Sequence, residues 1–499
     1  MLSKHSKASR HQMEMVMLDN LVPEDHLVRK IDACLDFGFI YELVEEYYCP
    51  NNGRPSIDPV VLIKIALIQY LFGIRSMRQT IKEIETNNAY RWFIGYGLTE
   101  KIPHFTTFGK NYVRRFEGTD LFEKIFTRIL KEAMKQGFVD PEVMFIDSTH
   151  VKASANKKKY IKKVVKAQTR SYQERLDQEV NADRKIRGKK PFAPKTTEET
   201  KEVKQSPVDP DSGYYVKNER ERQFAYSFHT GCDRNGFVLG VIVEPANIHD
   251  SQVFPMLYQK LKGSVGTPFA VAVDAGYKTP YISQLLLEDQ VRPVMPYTRP
   301  MTKKGFFKKY EYVYDKYYDE YLCPANQILK YRTTTREGYR QYVSDPKVCQ
   351  NCPLLSRCTQ SQNHTKQIHR HLWEDALEEA EHLRHTKLNK QIYEKRKETI
   401  ERVFADLKVK HGMRWTHLRG KQKVQHQAML VFAAMNLKKL ATARWRALQS
   451  LHDFTRNWLL DHLKGLLIDF QKSFFLQSAS ASFEALEFRL KTFSTRLAF

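Results

Sequence analysis

Three acidic residues that lie far apart in the chain have the chemistry of a metal site. Asp147 closes the short apolar run VMFID, and Asp274 closes the run FAVAVD. A short apolar run closed by an acidic residue is typical of a buried strand that delivers a carboxylate at its end. Glu401 lies in a segment with helical periodicity. Three carboxylates at one place repel one another unless divalent cations bind between them, and such hard ligands select Mg²⁺ or Mn²⁺.

The segment around Glu401 predicts the helix that would carry the third carboxylate. Its apolar residues recur at the spacing of one buried helix face: Ile400, Val403, Phe404 and Leu407. Gly412 marks the end of this pattern. Lys408 returns to nearly the same angular position as Glu401, because two turns of helix take about 7.2 residues. One carboxylate and one ammonium therefore project together from a helix that is anchored in a core.

The elements before this helix predict a mixed α/β domain. A β-hairpin is predicted for the segments AYSFHTGCD and GFVLGVIVEP, which are joined through residues 234–236. FAVAVD predicts a strand, YISQLLLED a crossover helix and RPVMPY a last strand, an order that suits a central sheet with helices on both faces. If the strands of Asp147 and Asp274 lie side by side in parallel, both carboxylates reach one edge of the sheet. The Asn247, His249 and Asp250 cluster fits equally well a turn that positions DNA or a structural loop.

Residues 20–135 are predicted to be almost wholly helical. Asp58 followed by Pro59 is a good helix N-terminus for the apolar run that follows. Basic residues on exposed faces allow a helix-turn-helix-like DNA reader, and a plain helical bundle with a solvated basic face is the alternative. These basic residues are Arg75, Arg78, Lys82, Lys110, Arg114 and Arg115.

The net charge favours a polyanionic partner. The 81 Lys and Arg residues against 57 Asp and Glu give a formal charge of +24, which makes nucleic acid the first candidate. Ribosomal or membrane-surface binding is the alternative, but 42% hydrophobic and 12% aromatic residues fit a large folded enzyme better. The start of the chain lacks the apolar core of a signal peptide, and no stretch approaches 18 uninterrupted apolar residues. We therefore expect a cytoplasmic protein without membrane contact.

A cysteine-containing stretch precedes the Glu401 helix. Cys349 and Cys352 have the spacing of a metal knuckle, and Cys323 and Cys358 could complete a tetrahedral thiolate site for zinc. The alternative is that these cysteines are simply reduced. His364, His369 and His371 lie close by and could substitute for a ligand. Seven cysteines, an odd number, argue against a disulfide framework.

Four blocks of the chain resemble insertion-sequence DDE transposases. GRPSIDPVVLIKIALIQYLFGI and the segment after it are similar to their InsH-type N-terminal domain. The block with the family's first catalytic aspartate is similar to VMFIDSTHVKASANK, and the block with the second is similar to FAVAVDAGYKTP. The block with the catalytic glutamate resembles YEKRKETIERVFADLKVKHGMRWTHLRG. The blocks follow the family's order over most of residues 20–445. The resemblance implies an α/β fold with a ribonuclease H-like mixed sheet flanked by helices and an all-helical N-terminal domain.

The resemblance assigns the roles of the family's functional residues to individual residues of this chain. Asp147, Asp274 and Glu401 match the metal-binding triad. The family's signature is Tyr, two residues, Arg, three residues, Glu, six residues, Lys, and the pairs Tyr393 with Arg396 and Glu401 with Lys408 keep their spacing. Four residues, however, separate Arg396 from Glu401, so Lys397 has the spacing that the signature gives to Arg. Glu398 is the rival for the third carboxylate.

The family implies hydrolysis of a phosphodiester at the transposon end and attack of the freed 3′ hydroxyl on another strand, with two Mg²⁺ ions at the triad. The residues expected to hold DNA phosphates are Tyr393, Arg396 or Lys397, Lys408, Arg414 and Arg419. The expected partner is double-stranded DNA, with a homodimer at synapsis and an association with the bacterial nucleoid. The alternatives are a ribonuclease H-like nuclease that does not join DNA, or a non-catalytic DNA-binding protein.

These observations predict five parts of the chain. They are a helical DNA-binding domain (1–138), the first part of the catalytic core (139–298, with a basic, partly helical insertion at 150–215), a cysteine-containing insertion (299–385), core helices with the glutamate (386–445) and an amphipathic tail (446–499). The tail fits a helix that docks on this protein or on another copy better than one that contacts a membrane, and the sequence alone does not decide between them.

Overall fold

The computed structural model describes residues 13–49, 56–166, 172–193, 200–217, 221–299 and 301–456. The chain divides into two compact units between Lys439 and Leu440. In the second unit, residues 440–456 are helical, and the predicted amphipathic segment WLLDHLKGLLIDF lies outside the described residues. No helix in the described part of the chain is long and apolar enough to cross a membrane.

The first unit begins with short helices, as the sequence predicts. Asp58 caps α3, because its carboxylate accepts hydrogen bonds from the backbone N–H groups of Val60 and Val61, and Pro59 takes the first helical position. The helices are α1 (Leu27–Asp32), α2 (Phe39–Val44), α3 (Pro59–Leu71), α4 (Met77–Thr86), α5 (Asn88–Ile94), α6 (Thr106–Asn111) and α7 (Leu121–Lys135). Nine of the 13 residues of α3 are buried, so this helix is the centre of the helical region.

Eight strands follow between residues 143 and 294. They are β1 (Val143–Lys152), β2 (Ile161–Lys166), β3 (Thr200–Gln205), β4 (Gly213–Val216), β5 (Arg222–Cys232), β6 (Val238–Pro245), β7 (Ala270–Ala272) and β8 (Arg292–Val294). Six of them form the central sheet in the order β4-β5-β1-β7-β8, with β6 paired to β5. The predicted hairpin is confirmed as β5 and β6, and the predicted parallel pairing of the two aspartate strands is confirmed as β1 and β7. The sheet is therefore mixed, with β1 between a parallel and an antiparallel neighbour.

Helices cover both faces of this sheet, as predicted. On one face, α9 (Asp250–Val265) lies so close to β5 and β6 that a Cβ atom at Gly231 would be 2.3 Å from Leu261 Cδ1. The other face of β5 carries Phe228, which packs against Phe432 of α16, the helical residues 421–439. α10 (Pro280–Glu288) is the predicted crossover between the parallel strands β7 and β8. The fold is thus the mixed α/β class expected from the sequence.

Two insertions have more strand than the sequence predicts. The basic insertion contains the predicted helix, α8 (Gln173–Ile186), but also the antiparallel pair β2 and β3. The cysteine-containing stretch forms a second sheet in the order β13-β12-β11-β10-β9. Its elements are β9 (Val313–Asp315), β10 (Glu320–Leu322), β11 (Ile328–Thr334), β12 (Tyr339–Ser344), α11 (Pro346–Gln350), α12 (Leu355–Cys358) and β13 (Gln367–His371). The chain then continues through α13 (Glu374–Arg384), α14 (Lys387–Glu394), α15 (Ile400–Val409) and α16.

Candidate active site

The parallel register brings the two predicted aspartates to the same level of the sheet. Phe145 of β1 pairs with Ala272 of β7, and each aspartate lies two residues further along its strand direction. The prediction that Asp147 ends its strand is wrong, because β1 continues to Lys152 along its antiparallel neighbour β5. Asp274 instead follows β7 and accepts a hydrogen bond from the backbone N–H of Gly276 at 2.9 Å. One carboxylate thus stands on a strand and the other on the turn beside it.

The pKa of Asp147 is raised to about 6. Burial is the largest cause, Arg396 opposes it, and the negative charges of Asp274 and Asp250 add to the rise. Arg396 Nη2 donates to Asp147 Oδ2 at 2.6 Å, and the arginine is 4% exposed. Its other partner is Tyr393, whose hydroxyl lies 3.4 Å from Nη1. The guanidinium therefore supplies positive charge directly at a carboxylate that is buried among like charges.

A third aspartate belongs to the same cluster. Ser148 Oγ donates to Asp250 Oδ1 at 2.9 Å, at the start of α9. His229 pairs with Ser148 across the β1–β5 ladder, and its Nδ1 lies 3.6 Å from Asp250 Oδ1. Burial lowers the pKa of His229 to about 3 and raises that of Asp250. Sequence analysis noted Asp250 but did not place it with the aspartates; its position directly after the hairpin and before a helix is the signal that could have done so.

Glu401 lies on α15 as predicted, but it does not converge with the two aspartates. The predicted buried face of the helix is confirmed, since Ile400, Val403, Phe404 and Leu407 are all buried. Glu401 itself is exposed. Within the described ranges, no group of three or more His, Cys, Asp or Glu side chains lies close enough to hold a metal ion. The aspartates with Arg396 and Asp250 therefore form the assembled part of the site.

Basic residues lie next to the far end of β1. α15 contacts β1, and burial followed by the charge of Lys217 lowers the pKa of Lys408. The segment after α15 runs beside the strand, with the backbone N–H of Lys152 donating to the Arg414 carbonyl at 3.2 Å. The side chains of Lys397, Arg414 and Arg419 are exposed, whereas Arg396 is buried. Sequence analysis missed Lys217, which reaches this end of β1 from the end of β4.

The four clustered cysteines line one cavity, but they do not form the expected zinc site. The cavity also includes Phe307, Leu329 and Lys366. Cys323 Sγ accepts a hydrogen bond from the backbone N–H of Gln327 at 3.3 Å, and Cys358 Sγ lies 3.2 Å from the Tyr312 hydroxyl. These two thiols thus have hydrogen-bonding partners of their own. Among the described residues, no three cysteine or histidine side chains converge closely enough to hold a metal ion. The expectation of a tetrahedral site at Cys323, Cys349, Cys352 and Cys358 is therefore corrected.

The donor set of the aspartate cluster fits a hard divalent cation. Its ligand atoms are carboxylate oxygens, which Mg²⁺ and Mn²⁺ prefer, and Arg396 supplies the compensating positive charge in this structure. A cation between Asp147 and Asp274 would relieve the repulsion that helps to raise the pKa of Asp147.

Family models match two parts of the chain. Residues 16–114 match a transposase domain (DUF772), and residues 322–441 match a transposase DDE domain. The first match covers most of the helical N-terminal region, and the second covers the helix of Glu401, so the protein is a transposase. The chain belongs to the insertion-sequence transposases of the DDE type. Glu401 and Lys408 lie within the second match, whereas Asp147 and Asp274 lie between the two. A comparison with curated proteins gives no match.

Proposed function

We propose that this transposase binds the ends of its insertion sequence and catalyses metal-dependent cleavage and transfer of DNA strands. The observation that supports the proposal is the parallel register of β1 and β7, in which Phe145 pairs with Ala272 and each aspartate follows two residues later in the chain. Two half-buried carboxylates close together repel each other unless a cation is bound. No side-chain nucleophile is needed for a reaction in which water and a 3′ hydroxyl attack phosphorus.

Asp147, Asp274 and Glu401 would hold Mg²⁺ or Mn²⁺. When bound, the cation stabilises charge on the oxygens that are exchanged at phosphorus. Asp147 and Asp274 provide oxygen ligands from the sheet. Glu401 is exposed at the first turn of α15, so its carboxylate is accessible to join them from the helix. Arg396 neutralises Asp147 before the cation binds, and Tyr393 holds the guanidinium at that position.

Basic residues around α15, exposed except for the half-buried Lys408, would hold the DNA backbone. Lys397 is exposed next to the buried Arg396, so we assign the phosphate contact of the family signature to Lys397 and the carboxylate contact to Arg396. Lys408, Arg414 and Arg419 continue the positive surface along α15 and the segment after it. Phosphate contacts of this kind position the duplex without reading its sequence.

Recognition of the transposon ends is assigned to the helical region at residues 1–138. The rest of the proposed organisation is a catalytic core at 139–298 and 386–445, interrupted at 299–385, with a tail from 446. Because two ends must be brought together before strands are joined, we propose that a homodimer forms on the DNA.

The experiment is cleavage and joining of a labelled duplex that carries the element's own end sequence, with Mg²⁺, Mn²⁺ or EDTA. The wild type should give nicked and joined products only with a metal. Glu401→Gln should lose both products, and Glu398→Gln should retain them. Nicking without joined product would instead indicate a nuclease, and tight binding without any cleavage would indicate a non-catalytic DNA-binding protein.

A further inference from the structure

A two-stranded ribbon, made of β2 and β3, stands apart from the central sheet. Its antiparallel pairing runs from Ile161 opposite Gln205 to Lys166 opposite Thr200. Within the described part of the chain, neither strand joins another sheet. β2 follows the strand of Asp147 in the chain, and β3 leads into β4, the edge strand of the central sheet. The ribbon is therefore an extension of the sheet that carries the candidate active site.

The ribbon exposes both of its faces. Successive side chains of a strand point to opposite faces, and the four residues 161–164 of β2 are all exposed. Two of them are apolar, with Ile161 52% and Val164 65% exposed. A two-stranded ribbon alone is marginally stable at best in water. These exposed faces therefore indicate a partner that covers them.

The charge of the ribbon selects the kind of partner. Residues 157–159 are three consecutive exposed lysines directly before β2, and Lys163 is exposed within it; none of these four has an ion-pair partner among the described residues. Lys162 pairs with Glu202 at 3.0 Å. Lysines along an edge strand disfavour pairing with a second protein sheet. The surface thus complements a polyanion better than a second copy of this chain.

The ribbon begins next to the proposed phosphate-binding residues. Lys204 of β3 lies 4.6 Å from the ring centre of Tyr214 in β4, which joins the ribbon to the sheet. Lys152, at the end of β1, donates its backbone N–H to the Arg414 carbonyl. Asp147 lies earlier on the same strand, roughly 17 Å from Lys152 at the rise of an extended chain. On a duplex bound at Asp147, this distance corresponds to roughly five base pairs.

We propose that the β2–β3 ribbon enters the major groove of the transposon-end duplex beside the cleavage site. The inference rests on the proposed function, because it concerns the same DNA. The major groove of B-DNA admits a two-stranded ribbon. The unpaired lysines contact phosphates at the edges of the groove, and an exposed apolar side chain such as Ile161 contacts a thymine methyl group at its floor.

The test is binding of the full chain to an end-sequence duplex in EDTA, measured by fluorescence anisotropy over a series of salt concentrations. Lys159→Gln/Lys163→Gln should raise the Kd by about tenfold and reduce the slope of log Kd against log salt by about 1.8, because each phosphate contact contributes about 0.9. Lys189→Gln/Lys190→Gln makes the same charge change at two exposed lysines after α8, and it should leave the slope unchanged. Urea unfolding verifies that each variant is folded.

Methylation of guanine N7 tests the groove, because this atom lies in the major groove. At saturating protein, the wild type should protect guanines of the end duplex from dimethyl sulfate. Ile161→Glu places a negative charge on the exposed ribbon, so some of these guanines should become reactive in this variant. The same N7 protection in both proteins would overturn the assignment to the major groove.

The outcomes separate this inference from the proposed function. If the lysine variant binds the end duplex like the wild type while Asp147→Asn abolishes cleavage, the inference is wrong and the proposed function stands. Loss of joining with unchanged end binding would place the ribbon on target DNA and would also overturn the inference. A wild type that forms a dimer without DNA, which Ile161→Glu dissociates, would show a second copy on the ribbon. A wild type that does not bind the end duplex overturns both proposals.

Discussion

Arg396 donates a hydrogen bond to Asp147 at 2.6 Å, and both side chains are largely removed from solvent, with 5% and 18% exposed. The pair joins the turn before α15 to the central strand of the sheet. It places a permanent positive charge beside a carboxylate that would otherwise stand uncompensated.

Arg396→Gln should lower the free energy of unfolding by about 3 kcal/mol at neutral pH, because it leaves the Asp147 carboxylate buried without its partner. Mn²⁺ should restore part of the loss by binding the freed carboxylate. Lys397→Gln, the neighbouring exposed position, should change the unfolding free energy by less than about 0.5 kcal/mol. Urea unfolding of Arg396→Gln, Asp147→Asn and the double variant Arg396→Gln/Asp147→Asn measures the coupling energy of the pair; additive losses in the double variant would contradict a direct pair.

Lys397→Gln should instead weaken DNA binding. Loss of one phosphate contact reduces the slope of log Kd against log salt by about 0.9 for duplex DNA. The measurement is fluorescence anisotropy of an end-sequence duplex over a series of salt concentrations. Lys316→Gln removes an exposed lysine of the second sheet that pairs with Asp375, and it is the control. Equal slopes for Lys397→Gln and the wild type would remove Lys397 from the DNA contact.

Gly73→Ala should destabilise the junction between α3 and the end of α15. Gly73 has φ +66°, and a Cβ atom there would lie 2.5 Å from the Lys410 carbonyl oxygen, a backbone atom that cannot rotate away. The left-handed conformation costs about 1–2 kcal/mol and the overlap about 1–3 kcal/mol more. Gly95→Ala, with φ +80° and no atom within 4 Å, isolates the conformational cost. Similar losses in thermal stability for the two variants would contradict this close approach.

His411 should make stability depend on pH at the same junction. Its Nδ1–H donates to the Tyr70 carbonyl at 2.7 Å, and burial lowers its pKa from 6.5 to about 4. As the pH falls below 6.5, the unfolded chain takes up a proton that the folded protein resists, so the unfolding free energy falls until about pH 4. The loss is of the order of 3 kcal/mol.

The variant His411→Asn tests this effect, because an Asn side chain can donate a hydrogen bond near this position but does not titrate. The difference in unfolding free energy between wild type and His411→Asn should therefore change between pH 7 and pH 4, with the wild type losing more on acidification. Parallel pH profiles of the two proteins, measured by urea unfolding, would show that His411 does not contribute.

Periodicity predicted the elements that bury one face and whose pattern lies within a few neighbouring residues. The α15 face from Ile400 to Leu407, the β5–β6 hairpin and the Asp58 cap each follow from neighbouring residues alone. The second sheet was missed because its strands are short and its core is built largely from tyrosines. Tyr342, for example, is fully buried but satisfies its hydroxyl on Asp319, a contact that no local pattern predicts.

The sequence predicted the candidate site residues whose positions depend on strand order. It did not predict those whose positions depend on tertiary contacts. The neighbouring positions of Asp147 and Asp274 were predicted from two apolar runs and the parallel pairing of their strands. Arg396 lies in a charged run, which indicates an exposed residue, and its burial depends on a carboxylate 249 positions earlier in the chain. His229 and Asp250 meet only because α9 packs on the face of β5 that carries His229.

We propose that Asp147 acts on the reacting phosphate through a bound cation and does not merely stabilise the fold. The most direct measurement compares wild type and Asp147→Asn for binding to an end-sequence duplex and for strand cleavage in Mg²⁺. We predict that cleavage falls below detection while the Kd for the duplex changes less than about threefold, since phosphate contacts supply most of the binding. Parallel loss of binding and cleavage, or cleavage that survives the substitution, would show that Asp147 does not have this catalytic role.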